Sequence, residues 1–224
     1  MQNKDILSVS LKLFIITACT ALCLAFVNMV TKPVIERNQK IAMEETQKEV
    51  LKDAESFKQI DFSSFSSKTA EENGTYVKSF YKGTKNGETV GYTVTAVSER
   101  GYGGNIEVTV GYSADLKITK VKITETSETA GLGLKASEPD FIDQFAGRGE
   151  TLEVIKNSDP TTDGKNVAAI SGATITSKAV TNAVNTATEL VEQKSGSASE
   201  GEDDTNALKN EISKETERQI KEEK

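Results

Sequence analysis

The spacing of apolar residues changes several times along this chain, and each change predicts a different element. From Leu13 to Val30 the run carries no charge and only small polar interruptions. In helical form about 20 such residues span the roughly 30 Å hydrocarbon core of a bilayer, and flanking lysines such as Lys12 and Lys32 can snorkel to the headgroups. The pattern predicts a short N-terminal segment over 1–12 and a transmembrane helix over 13–32. Pro33 follows directly, in keeping with a helix that leaves the bilayer there. A different texture begins at Thr75. Tyr76–Tyr81 and Thr89–Thr95 flank Asn86-Gly87, the strongest short signal for a β-hairpin. Ile106–Val110 and Leu116–Ile123 alternate apolar with polar residues, with Ser113-Ala114-Asp115 as the turn between them. Such alternation predicts antiparallel strands with one covered face and one wetter face.

Pro139–Phe145 predicts a short helix and Leu152–Ile155 a further strand. Beyond Thr174, Val180, Ala183, Val184, Ala187, Leu190 and Val191 recur at spacings of three and four, which gives a helix one apolar face. That helix is expected to pack on the sheet. Between span and sheet, 33–74 reads as stalk and linker: a polar, Glu/Lys/Ala-rich stretch from Val34 to about Lys58 suited to a helix, then a Ser- and Phe-rich loop over Asp61–Asn73. After Gln193 the chain is charged and poor in apolar residues, so 194–224 reads as a disordered tail. The fold expected is α+β: an N-terminal transmembrane helix, then a domain over 75–193 built on an antiparallel sheet with packed helices.

Two other readings compete for the apolar run. A cleaved signal peptide has an apolar region of about 7–15 residues ending in small residues, which fits less well. Ile16-Thr17-Ala18-Cys19 resembles a lipidation box, but Lys12 would interrupt its apolar region. Cys19 and Cys23 otherwise read as small apolar helix residues. Lys4 and Lys12 precede the span while Lys32, Arg37 and Lys40 follow it, so the positive-inside rule gives no orientation.

Composition narrows the chemistry. The chain of 224 residues has no histidine, which removes imidazole metal sites and the usual general base near neutral pH. Its only cysteines are the two in the apolar run, too few for a disulfide framework or a four-thiolate zinc site. A net charge of −7 argues against nucleic acid. Difficult chemistry here would need a borrowed cofactor.

Ile170-Ser171-Gly172-Ala173-Thr174-Ile175-Thr176-Ser177 is the informative segment: a strand end, a turn that glycine permits, then hydroxyls opening a helix. The first turn of a helix has unpaired N–H groups and the positive end of the macrodipole, where a phosphate sits well. Equally, Ser171, Thr174 or Thr176 would serve simply as a helix cap.

Ser171–Ser177 resembles the flavinylation motif of the FMN-binding domain family, which includes the G subunit of the Rnf complex and the C subunit of the sodium-translocating NADH:quinone reductase. The resemblance implies an FMN joined through its phosphate to Thr174 by a dedicated flavin transferase, with Ser171, Gly172, Ala173 and Thr176 around it. Glu128-Thr129-Ala130-Gly131-Leu132-Gly133 resembles the family's E-T-P-G-L-G loop, with Ala130 in place of proline. By that resemblance Glu128, Thr129, Gly131 and Gly133 join the cofactor site, the glycines supplying unusual backbone angles. From the residue alone, Glu128 is as readily a solvated loop carboxylate. Gly101-Tyr102-Gly103-Gly104 before a strand is also typical of the family. Departures are Ala168, where the family often has Asp before the motif, and the absence of a histidine before the glycine-rich loop. Tyr81, Tyr92, Tyr102 and Phe145 are candidate stacking partners for a flavin, core packing being the alternative.

The resemblance covers about Leu11 to Gln193, and the short length with the Thr31-Lys32-Pro33-Val34 exit favours the Rnf branch of the family. It implies an electron-transfer component of a membrane-bound ferredoxin:NAD+ oxidoreductase that moves Na+ or H+. Other membrane and iron–sulfur subunits would be its partners, and the flavin domain would lie on the outer side of the cytoplasmic membrane. No side chain need act as acid or base, and no metal is expected. Two rivals stand beside this: an anchored flavin reductase in extracellular electron transfer, and a non-enzymatic anchored scaffold.

Overall fold

The computed structural model describes residues 3–156 and 165–195. Contacts divide the chain into two units, Met1–Glu45 and Thr46–Lys224. The first unit is formed by helix α1, which spans Asn3–Val50, its last residues from Thr46 belonging to the second unit, and runs through Pro33 without a break. Pro33 gives up the hydrogen bond to the Met29 carbonyl and its ring crowds that oxygen, a local cost of about 3 kcal/mol that a helix this long absorbs while continuing past it. The helix is long and apolar enough to cross a membrane. Phe14, Leu22, Leu24 and Phe26 are all exposed. Its polar interruptions are satisfied locally: Thr17, Thr20 and Thr31 donate their hydroxyls to the carbonyls of Leu13, Ile16 and Val27. In lipid an unpaired hydroxyl would be costly, and this back-bonding removes the cost.

The second unit is organised by a five-stranded antiparallel sheet in the order β1-β2-β3-β4-β5. Its strands are β1 (Ser56–Gln59), β2 (Thr75–Lys85), β3 (Glu88–Ser98), β4 (Ile106–Ser113) and β5 (Ile118–Thr126). Asn86 and Gly87 both have positive φ, 53° and 87°, as the predicted two-residue turn requires. Helix α4, over 174–195, lies across one face. Its stripe Val180, Ala183, Val184, Ala187, Leu190 and Val191 is at most 1% exposed and shares a core with Phe80, Val94, Val108, Val110 and Tyr112. Tyr112 OH pairs with Thr188 Oγ1 at 2.9 Å, which fixes β4 against α4. Helix α3 (Pro139–Ile142) and the 3-10 turn Asp143–Phe145 add Phe141 and Phe145 to the same core. Strands β6 (Glu153–Ile155) and β7 (Asn166–Ala168) form a parallel pair. β7 leads into the turn before α4, so this small sheet sets where the helix begins.

Three sequence expectations change. The stalk helix was expected to about Lys58, but α1 ends at Val50 and Ser56–Gln59 pairs with Tyr81, Lys82, Gly83 and Thr84 as an edge strand. The loop over 61–73 contains helix α2 (Lys68–Asn73), capped by Ser67, which accepts from Ala70 N, and ended by Gly74 at φ 62°. Most consequentially, the sheet's second face is not wet at its centre: every residue of β3 from Thr93 to Ser98 is buried. Val50, Leu51 and Ala54 cover that face. The approach needs three glycines on adjacent strands. A Cβ on Gly83 would lie 2.6 Å from Leu51 Cδ2, one on Gly91 3.0 Å from Leu51 Cδ1, and one on Gly111 2.2 Å from Val50 O. The tail over 196–224 lies outside the described residues.

Candidate functional site

β7 ends at Ala168, whose N–H donates to Gln144 Oε1 at 2.8 Å. The chain then turns through Ser171 and Gly172 into α4. Gly172 takes φ +79°, a left-handed conformation natural to glycine. Ala173 N–H donates to Ile170 O, and the first intrahelical bond runs from Ser177 N to Ala173 O. None of the hydroxyls expected as caps occupies the capping position; Ala173 does, and it has no side-chain oxygen. The N–H groups of Thr174, Ile175 and Thr176 are therefore left without an intrahelical acceptor. Ser177 closes the turn instead: its Oγ accepts from Ile170 N and donates to Ala173 O, both at 3.0 Å. Ser171 and Gly172 are exposed, Thr174 is half-buried at the first helical position, and Thr176 is buried.

One more loop reaches this helix start, and a second packs against that loop. In the segment 128–133, Leu132 and Leu134 both donate their N–H groups to Thr129 O, folding the loop on itself. Gly131 has φ +78°. Gly133 differs from expectation: its φ is not positive, and what it supplies is space. A Cβ there would lie 2.3 Å from Glu128 Oε2 and 2.8 Å from Glu128 Cβ. Glu128 is 7% exposed. Its Oε1 accepts from Tyr102 N at 2.7 Å and Gly103 N at 3.3 Å, while Oε2 is buried with no hydrogen-bond partner. Neighbouring glycines are needed for this packing: a Cβ on Gly103 would sit 2.2 Å from Ser127 O, and one on Gly101 2.9 Å from Glu128 Oε1. The third contact joins loop to helix, since a methyl at Gly172 would lie 3.4 Å from Leu132 Cδ2.

The three sequence motifs, separate along the chain, thus meet at one place. Thr129 and Gly131 are exposed on the loop, Gly133 and Glu128 are interior to it, and Thr176 is turned into the protein. Pattern reading passed over Leu132, Ile175 and Ser177. Leu132 and Ile175 are 48% and 54% exposed, and a single apolar residue in a loop or first turn has no periodic partner to betray it. An anionic group fits this place: unpaired N–H groups and the positive end of a long helix face a turn that glycine keeps open. The exposed apolar side chains beside it suit a flat aromatic ring.

Residues 101–189 match the model of the FMN-binding domain, and residues 1–50 match that of the RnfG N-terminal region. The G subunit of the Na(+)-translocating ferredoxin:NAD(+) oxidoreductase complex from Acetobacterium woodii is 39% identical over 186 residues, covering 81% of this chain and 89% of that protein. The G subunit of the proton-translocating ferredoxin:NAD(+) oxidoreductase complex from Clostridium ljungdahlii is 34% identical over 191 residues, with 85% and 94% covered. Among solved structures, NqrC of Shewanella oneidensis matches with a TM-score of 0.43 at 24% identity, covering 48% of this chain and 53% of that one.

Proposed function

Because this chain belongs to the family of G subunits of ion-translocating oxidoreductase complexes, we propose that it holds an FMN covalently, through its phosphate, on Thr174. It is an electron-transfer subunit with an FMN-binding domain over 101–189 and one apolar helix able to span a membrane. FMN, when bound, supplies one- and two-electron redox chemistry that no side chain here provides. The residues of the chain hold and orient it. The N–H groups at the start of α4 would receive the phosphate, Gly172 leaves room for it, and the Thr174 hydroxyl oxygen would carry the phosphoester.

What supports Thr174 is the bare helix start. A serine or threonine in the capping position would occupy the N–H groups, and here Ala173 leaves them open beside the Thr174 hydroxyl. A covalent link suits a carrier that must not lose its cofactor at a water-exposed surface. The partners are the other membrane and iron–sulfur subunits of such a complex, and a flavin transferase matures the chain. We place the flavin domain on the outer side of the cytoplasmic membrane, where protease added to intact cells should cleave it.

In-gel flavin fluorescence of the denatured chain, co-expressed with a flavin transferase, tests the attachment. A bright wild-type band and a dark Thr174→Ala band are expected. A dark wild-type band beside a flavinylated control protein would sink covalent attachment at Thr174.

A further inference from the structure

β7 pairs with β6 along one edge, and no other strand among the described residues lies along its second edge. Successive residues of a strand turn their N–H and C=O groups to opposite edges. Ala169 N donates to Ile155 O at 2.9 Å, on the β6 side, so Ala168 and Ile170 present their backbone groups to the second edge. Side chains meet them there. Gln144, in the 3-10 turn Asp143–Phe145, accepts from Ala168 N with Oε1 at 2.8 Å and donates from Nε2 to Ala168 O at 3.4 Å. Its Nε2 also donates to Asp140 O at 3.4 Å, which fixes how the carboxamide is turned. One carboxamide thus takes the place of a neighbouring strand. Two residues on, Ser177 Oγ accepts from Ile170 N at 3.0 Å.

We infer that Gln144 is a positioning residue for flavin attachment: it holds the end of β7 so that the turn to Thr174 already has the shape a flavin transferase engages. The inference rests on attachment at Thr174. The turn itself is weakly determined, since Ala173 offers the helix start no side-chain cap and Gly172 is free to adopt many conformations. Its path is therefore set by the backbone on either side. Ser177 ties the helix to Ile170, and Gln144 ties Ala168 to a turn whose next residue, Phe145, is fully buried in the core. An enzyme that modifies a turn binds it in one conformation, and the apparent affinity falls with the fraction of chains that hold that conformation.

The test follows flavin incorporation into the full chain in detergent, with a flavin transferase and FAD as the flavin donor. The Thr174 oxygen forms the bond to the flavin phosphate, the pyrophosphate bond breaks, AMP leaves and the hydroxyl proton passes to solvent. Gln144→Met keeps the length of the side chain without its hydrogen bonds, and Gln144→Ser is too short to make them. Each should raise KM for the acceptor chain at least about fivefold, the worth of one ordinary hydrogen bond, with kcat unchanged. Asn185 supplies the control. Its carboxamide pairs in the same way with Leu152, accepting from N at 2.9 Å and donating to O at 2.8 Å, away from the attachment segment. Asn185→Leu should lower the melting temperature and leave KM at the wild-type value. An unchanged KM in whichever Gln144 variant folds, or an equal rise in Asn185→Leu, would overturn the positioning role. A wild-type chain without flavin, beside a flavinylated control protein, would instead overturn attachment at Thr174, and the inference with it.

Discussion

Gly131 and Gly133 sit two residues apart and are required for different reasons. Gly131 has φ +78° with open space around it, so its need is conformational. Gly133 is needed because Glu128 fills the volume a side chain would take. Gly133→Ala places a methyl 2.3 Å from Glu128 Oε2 and 2.8 Å from its Cβ, and should cost about 1–3 kcal/mol, the usual penalty of overpacking. Chemical denaturation of the detergent-solubilised chain would measure it, and an unchanged midpoint would show that Glu128 can move aside. The role of Glu128 itself was open in the sequence. Carboxylates are mostly exposed, and nothing in Glu128–Gly133 announces that its partners are N–H groups about 25 residues upstream. The turn at Gly172 was legible because glycine and hydroxyls cluster where a strand pattern gives way to a helix pattern, whereas Thr174 was singled out only by the resemblance to the flavinylation motif.

At the scale of elements, α4 is the piece that both closes the core and presents the site. Leu190 is fully buried on its apolar stripe. Leu190→Ala should lower stability by about 2–5 kcal/mol through the cavity it leaves, read as a shift in denaturation midpoint. Flavin incorporation into the surviving folded protein should be retained, since Leu190 lies about four turns from Thr174. This helix was legible because its 3.6-residue repeat runs over several turns. α2 was missed because a helix of six residues is too short to display a period, although Ser67 and Gly74 bracket it with ordinary capping chemistry. The burial of both faces of β3 was hidden for another reason. Thr93 and Thr95 alternate with Val94 and Ala96 as solvent-facing residues would, yet threonine's branched methyl packs well under a cover supplied by residues about 40 positions earlier.

At the scale of the whole second unit, the residues that end α1 are fastened to the sheet by charge as well as by shape. Glu49 pairs with Lys120 at 2.7 Å and with Lys122, both on β5. Thr119, next to Lys120, donates its hydroxyl to Val50 O at 2.5 Å. Hydrogen bonds from Lys120 and then Lys122 hold the Glu49 carboxyl down from its ordinary 4.5 to about 2. A carboxyl depressed in the folded state stabilises it above the unfolded pKa and loses that contribution as pH falls through the folded one. Stability should therefore decline from about pH 4.5 toward pH 2, and Glu49→Gln should flatten that part of the profile in thermal unfolding at several pH values. The side chain is 38% exposed, so salt should weaken the effect. An identical slope in the variant would assign the acid sensitivity to other carboxylates.

The alanine that precedes α4 has a consequence for anyone trying to improve this protein. Ala173→Ser would give the helix the oxygen it lacks, worth about 0.5–2 kcal/mol by ordinary capping, and the apoprotein should melt at a higher temperature. On the proposed attachment at Thr174, the new hydroxyl would compete with the phosphate for the N–H groups at the helix start, so flavin incorporation should fall. Selection for robustness and selection for electron transfer therefore pull this one position in opposite directions. A library ranked by heat resistance alone would enrich proteins that outlast the natural chain and carry no current.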